Sequence, residues 1–197
     1  MKESKKVVFN GNNYSEEWHQ EAEKRGLPNL KNTVEVLPVV TRKDTTELFA
    51  KYRVYSAKEL ESRFNILSEA YVKTINIEAS TGLMIAKGMI LPAALRYQKE
   101  VGESIAAAKA AGAAQPAGLE IFGTLVSSIN ELQSAIAKLE KAQAHHTDGS
   151  PYDHAKHMRN DVFPALNSLR TAADKLEAQV ADDLWPLPTY REMLFIK

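Results

Sequence analysis

The 197 residues hold 25 Lys plus Arg against 25 Asp plus Glu, so the formal net charge is zero and no global field draws the chain to nucleic acid or to an anionic membrane. A hydrophobic content of 44% suffices to bury a core in one large domain or two small ones. The absence of cysteine excludes disulfides, thiolate catalysis and Cys-based zinc or iron–sulfur sites, and fits a reducing compartment.

The first apolar run, Val7-Val8-Phe9, is too brief for a signal-peptide core or a membrane span, and the expected location is the cytoplasm. It reads as an isolated extended segment, a strand whose sheet would have to come from elsewhere, because the chain offers hardly another strand to pair with it. Asn10-Gly11-Asn12-Asn13 is a turn. Ser15 then serves as a candidate N-cap for a helix from Glu16 to Arg25, whose first-turn acids suit the positive end of the helix dipole and which stops at Gly26 ahead of Pro28. Leu27 to Pro38 is a connector with one turn of helix at most. Asp44-Thr45-Thr46-Glu47 is a capping pattern that opens a helix expected to bury Leu48, Phe49 and Tyr52.

The longest element begins at a capping box, Ser56-Ala57-Lys58-Glu59, and runs to about Ala114. Leu60, Phe64, Leu67 and Tyr71 lay one apolar stripe along it, and Leu83 to Leu91 is apolar nearly all round, which predicts burial on more than one side. Glu78 stands among apolar neighbours as either a buried acid or the partner of a Lys or Arg. Pro92 predicts a kink near Gly88 and no full stop, since Ala93 to Ala108 resumes helix-favouring composition. A second helix carries Phe122, Leu125, Ile129, Leu132, Ile136 and Leu139 at alternating spacings of three and four. After the turn around His145 to Gly149, Ser150-Pro151 starts a third, with the stripe Val162, Leu166, Leu169, Ala173, Leu176 and Val180 and a bend from Pro164. The predicted fold is all-α: an antiparallel bundle of three long helices, a long kinked helix plus a helical hairpin, with short N-terminal helices and the isolated extended segment. The organisation is an N-terminal segment 1–55, the long-helix bundle 56–183 and a docked apolar tail 184–197.

Little in the chain carries chemistry. His145, His146 and Asp148, followed by His154 and His157 one turn apart, form the one cluster with metal-ligating side chains, which would hold zinc or another divalent ion at the surface. Its spacing matches no established pattern such as H-E-x-x-H, and polar hairpin turns collect His and Asp because nothing there is buried, so no metal ligand is assigned. There is no Gly-x-Ser-x-Gly, phosphate loop or convergent carboxylate pair, and Lys5-Lys6 and Arg42-Lys43 are too short for a nucleic-acid patch. Trp18, Trp185 and Tyr190 are core residues or anchors for a partner.

Several stretches taken together resemble the C-terminal region of type III glutamine synthetase: Asn10-Gly11-Asn12-Asn13-Tyr14-Ser15-Glu16-Glu17-Trp18, Arg25-Gly26-Leu27-Pro28-Asn29, Ile77-Glu78-Ala79, Ile90-Leu91-Pro92-Ala93 with Tyr97, and Leu187-Pro188-Thr189-Tyr190-Arg191-Glu192-Met193-Leu194-Phe195-Ile196-Lys197. The likeness covers nearly the whole chain in order. It implies an ATP-dependent ligase that joins ammonia to glutamate with divalent Mg or Mn in a β-rich catalytic domain, assembled as a large ring. The family's metal, substrate and nucleotide residues lie upstream of the segment present here, so none is carried over and no catalytic or cofactor-binding residue is assigned. The resemblance implies the end of a longer chain, excised or encoded as a shortened reading frame, that is inactive alone and packs against itself or the rest of the synthetase. The other reading is an autonomous helical module that binds a protein partner. Neither involves nucleic acid or a membrane.

Overall fold

The computed structural model describes residues 3–116, 118–145 and 148–195, and the chain divides into two compact units, Met1–Leu67 and Ser68–Lys197. Among the described residues there is no strand.

In the first unit the predicted extended segment is instead a 3₁₀ turn, Glu3–Val7, closed by Val8 N–H donating to the Lys5 carbonyl at 3.2 Å. The cause is a residue distant in sequence. Arg25 Nη1 donates to the carbonyls of Val8 at 2.8 Å and Lys6 at 3.2 Å, which gathers onto one cation the acceptors that a strand would have presented to a neighbour. The same guanidinium pairs with Glu21 at 2.7 Å and lies 5.5 Å from the centre of the Trp18 ring, which in turn meets Phe9 at 4.8 Å. Trp18 thus packs within its own unit.

Helix α1, Glu16–Lys24, ends as its sequence requires: Gly26 adopts φ +70° and Leu27 N–H reaches back to the Ala22 carbonyl at 2.9 Å. Its start differs from expectation, since the Ser15 hydroxyl donates to the Asn12 carbonyl at 2.7 Å and caps no helix amide. A single turn, α2 (Thr33–Val36), capped by Asn32, and a 3₁₀ turn, Leu37–Thr41, bury Val34 and Leu37. Helix α3, Lys43–Lys51, starts one residue before Asp44, which is therefore not the cap. Arg42 holds Asp44 in a two-pronged pair at 2.6 Å on each prong, and that hydrogen bonding keeps the Asp44 carboxyl below its ordinary range. Leu48 and Tyr52 are exposed, contrary to the predicted burial, whereas Phe49 is half-buried with its ring 5.6 Å from that of Tyr55.

Helix α4, Ala57–Ile85, opens on the predicted capping box. The Ser56 amide donates to the Glu59 carboxylate at 2.7 Å and the Glu59 amide to the Ser56 hydroxyl at 3.3 Å. Leu60 is buried and Phe64 half-buried, but Leu67 is exposed, so the first stripe is only partly covered.

In the second unit α4 passes into a wide π turn, Ala86–Ile90, and on into α5, Leu91–Ala110. The same device recurs between α7 (Pro151–His157) and α8 (Phe163–Glu177), where Met158–Val162 is a π turn. Each precedes an x-Pro-Ala step, Leu91-Pro92-Ala93 and Phe163-Pro164-Ala165. Proline has no amide to donate and its ring crowds the carbonyl four residues back. Here those carbonyls, of Gly88 and Asn160, lie inside the widened turns, so each helix passes its proline without ending.

Helix α6, Gly118–Ala144, is the middle of the bundle. Toward α4 and α5, Gln143 reaches Asn76 and Ser80, Glu140 meets Lys87 at 2.5 Å, and Gly118 lies against Ile105. Toward the hairpin partner, Ala142 meets His157, Glu131 meets Lys175 at 2.6 Å, and Ser128 meets Gln179. Residue numbers fall on one side as they rise on the other, so α6 is antiparallel to both neighbours. Leu125, Leu132 and Leu139 are completely buried, against Ile75, Ala79, Ala86, Ile90 and Ala94 from one neighbour and Val162, Ala165, Leu169, Ala172 and Leu176 from the other. The third contact of the triangle is close: a Cβ on Gly82 would stand 2.8 Å from Leu166 Cδ1, so α4 approaches α8 where glycine removes a side chain.

Burial of Leu83 to Leu91 is not all round. Met84 is 67% exposed and Met89 39%, with Ile77 and Leu95 also open to solvent, and Glu78 is exposed as well. At the end of the chain Leu184, Trp185 and Leu187 pack on the core, whereas Met193, Leu194 and Phe195 are each about two-thirds exposed. Helix α9, Tyr190–Leu194, is opened by Thr189, whose amide donates to the Glu192 carboxylate at 2.8 Å. The Tyr190 side chain, singled out above, lies outside the described residues.

Candidate functional site

The histidine-rich end of the α6/α7 hairpin is where the sequence concentrates potential ligands. Asp148 is exposed, and His146 lies outside the described residues. His157 and His145 are tied into the structure.

His157 is buried. Its Nε2 lies 3.0 Å from the Ala142 carbonyl, and since a carbonyl only accepts, Nε2–H is the donor. Ala142 is among the last four residues of α6, whose carbonyls have no partner within the helix, so His157 closes the end of the preceding helix from the following one. Its Nδ1 is 2.8 Å from Asp161 Oδ2, which fixes the ring. His145 stands beside it, ring centres 5.3 Å apart and inclined at 57°. With both nitrogens of His157 engaged, the expected one-face pair of His154 and His157 does not form a ligand pair.

The start of α7 is a complete capping box. The Ser150 hydroxyl accepts from the Asp153 amide, and the Asp153 carboxylate accepts from the Ser150 amide at 3.1 Å and hydroxyl at 2.7 Å. Sequence reading took Ser150 as the cap but missed its other half; the Ser-x-x-Asp spacing carries that signal. Lys156 adds an ion pair at 2.6 Å. The hydrogen bond from Lys156, followed by those from Ser150, holds the Asp153 carboxyl far below the ordinary carboxylate range. A group whose acidity is raised by folding stabilises the folded state at pH values above its unfolded value and loses that contribution as pH falls through the folded one. Amide exchange at the start of α7 is therefore expected to accelerate on acidification below about pH 4, where the unfolded carboxylate protonates. Asp153→Asn is expected to remove most of that dependence, as hydrogen exchange measured over a pH series on both chains would show.

Among the described residues no three His, Asp or Glu side chains converge as a divalent ion needs. The half-buried Tyr71 hydroxyl is pushed above its ordinary range, an effect first of burial, opposed by Arg159 and reinforced by Glu78. Beside the hairpin end lies a groove of about 540 Å³ between α6 and the π turn that leads to α8, with Lys138, Lys141 and His145 on one wall and Asn160, Pro164 and Ala165 on the other. No helix among the described residues is long and apolar enough to cross a membrane.

Comparison with known proteins agrees with the resemblance read from the motifs. Residues 1–109 match the glutamine synthetase C-terminal domain family. The chain is similar to the type-3 glutamine synthetase of Dictyostelium discoideum, 34% identical over 199 aligned residues that cover 98% of this chain and 27% of that protein. It is 32% identical to a glutamine synthetase of Butyrivibrio fibrisolvens (97% and 28% covered) and 31% identical to one of Bacteroides fragilis (98% and 28%). The chain thus spans little more than a quarter of the length of the curated relatives it matches and corresponds to their C-terminal portion. It belongs to the glutamine synthetase C-terminal domain family.

Proposed function

We propose that this chain is the helical support of a type III glutamine synthetase, contributing to subunit packing and to the footing of the catalytic domain, with no ligase chemistry of its own. One observation carries the reading: the chain keeps a well-packed core while leaving large apolar side chains uncovered, Ile77, Met84 and Leu95 on the long helix and Met193, Leu194 and Phe195 at the end. Apolar side chains exposed in this number on ordered helices are what a larger assembly covers. The partners are further copies of the chain or the rest of the synthetase, and the location is the cytoplasm.

The ATP and Mg or Mn implied by the family serve the ligation of ammonia to glutamate. The described residues do not fit a divalent ion, since no set of three His, Asp or Glu side chains converges among them, and no step of the reaction is routed through them. The 197-residue chain, supplied with glutamate, ammonia, ATP and Mg, is expected to form no glutamine; ATP-dependent turnover would overturn the reading. Light scattering on the chain, alone and mixed with intact synthetase, is expected to show association. A monomer that ignores the synthetase would refute the packing role.

A further inference from the structure

The groove beside the hairpin end has a composition that support alone does not call for. Lys138 and Lys141 stand three apart on one face of α6, and His145 follows four residues on, just past the end of the helix. Elsewhere in the bundle five helix lysines are matched, Lys73 with Glu69, Lys87 with Glu140, Lys99 with Glu103, Lys156 with Asp153 and Lys175 with Glu131, whereas Lys109 near the end of α5 is not. Among the described residues Lys138 and Lys141 have no carboxylate within ion-pair distance, although both line the same cavity. The one carboxylate in the groove, Asp161, is already engaged by His157 at 2.8 Å. The cavity therefore holds two ammonium groups without an ion-pair partner and the His145 imidazole, opposite a wall of Asn160, Pro164 and Ala165.

The shape has a local cause as well. The opposite wall is the π turn Met158–Val162, one of only two such turns among the described residues, and it carries Asn160 and Asp161 to the lip of the groove. A π turn holds more residues than an α turn, and such turns recur at functional sites because they re-aim side chains that a regular helix would place elsewhere. A volume of about 540 Å³ lies within the usual range for small-molecule sites.

We infer that this groove binds a small phosphate-type polyanion. Lys138 and Lys141 supply point charges, as lysine does for phosphate oxygens, while His145 and the Asn160 amide donate hydrogen bonds. His157 is a positioning residue: it engages the Asp161 carboxylate at the lip and lies against the His145 ring, and both its nitrogens are occupied.

The probes are inorganic phosphate and pyrophosphate, titrated into the isotope-labelled 197-residue chain at constant ionic strength, with chloride as the control. Saturable shifts confined to residues 138–145 and 157–165, larger for pyrophosphate than for phosphate and absent with chloride, are the expected result. Lys138→Gln with Lys141→Gln is expected to weaken pyrophosphate at least tenfold, whereas the double arginine variant retains binding. Both lysines are exposed, so the same spectra report that the fold is kept. Asn160→Asp, which leaves the lysines in place and adds a carboxylate to the lip, is expected to weaken binding by a comparable factor. Shifts that do not saturate, that chloride reproduces, or that survive both the glutamine pair and Asn160→Asp would each overturn the assignment.

Discussion

Leu132→Ala is expected to cost about 2–5 kcal/mol. Leu132 is completely buried at the centre of α6, with core residues of both neighbouring helices around it. Alanine removes the methyl groups from water-free surroundings and leaves a cavity, because α6 is held at both ends by polar links to its neighbours and cannot collapse freely. For a protein of this size the loss corresponds to a fall in Tm of about 5–15 °C, measurable by calorimetry. Leu67→Ala, at a position 47% exposed in the same kind of heptad series, is the control and is expected to change little. Equal effects at the two positions would mean that burial in the bundle does not control its stability.

His157→Ala is expected to cost about 1–3 kcal/mol. The substitution removes the donor that closes the Ala142 carbonyl and releases Asp161, and it does so in a buried place where water substitutes poorly. His157→Gln, which retains a side-chain amide donor, is expected to recover part of the loss. Urea unfolding of the three chains tests this, and hydrogen exchange adds a local readout, since the last turn of α6 should open more readily in the alanine variant than in the glutamine one. An unchanged midpoint for His157→Ala would show that the end of α6 does not need its neighbour.

What the sequence announced and what it concealed separate along a physical line. The three long helices were legible because Leu125, Leu132 and Leu139 repeat at heptad spacing, and local caps such as Ser56 with Glu59 are written within four residues. Interactions between distant residues were not. Nothing near Val7-Val8-Phe9 says that Arg25 will collect its carbonyls and turn it into a 3₁₀ segment. Exposure was equally hidden: Leu67, Ile77 and Met84 are apolar residues whose cover, if a larger assembly supplies it, is not encoded in this stretch of chain. At the hairpin end the sequence marked His154 and His157 as a pair on one face. The structure gives His157 to the end of α6 instead, a role visible only when the two helices are side by side. The groove with Lys138 and Lys141 went unnoticed for the same reason, although two lysines three apart with a histidine four further on were there to be read.

The polar links on the two sides of α6 also decide which of several near-equivalent packings is adopted. A heptad stripe repeats itself, so leucines at 125, 132 and 139 would fit their neighbours almost as well after a slide of seven residues along the bundle axis. The pairs at the edges do not repeat. Such a slide would bring either Thr124 or Lys138 to the place of Glu131, leaving Lys175 opposite a hydroxyl or another ammonium, and in either direction would take Glu140 away from Lys87, with Gln133 in its place in one of them. Exposed pairs of this kind add little to stability. Their larger contribution is to register, since each slipped alternative loses both and one gains a repulsion.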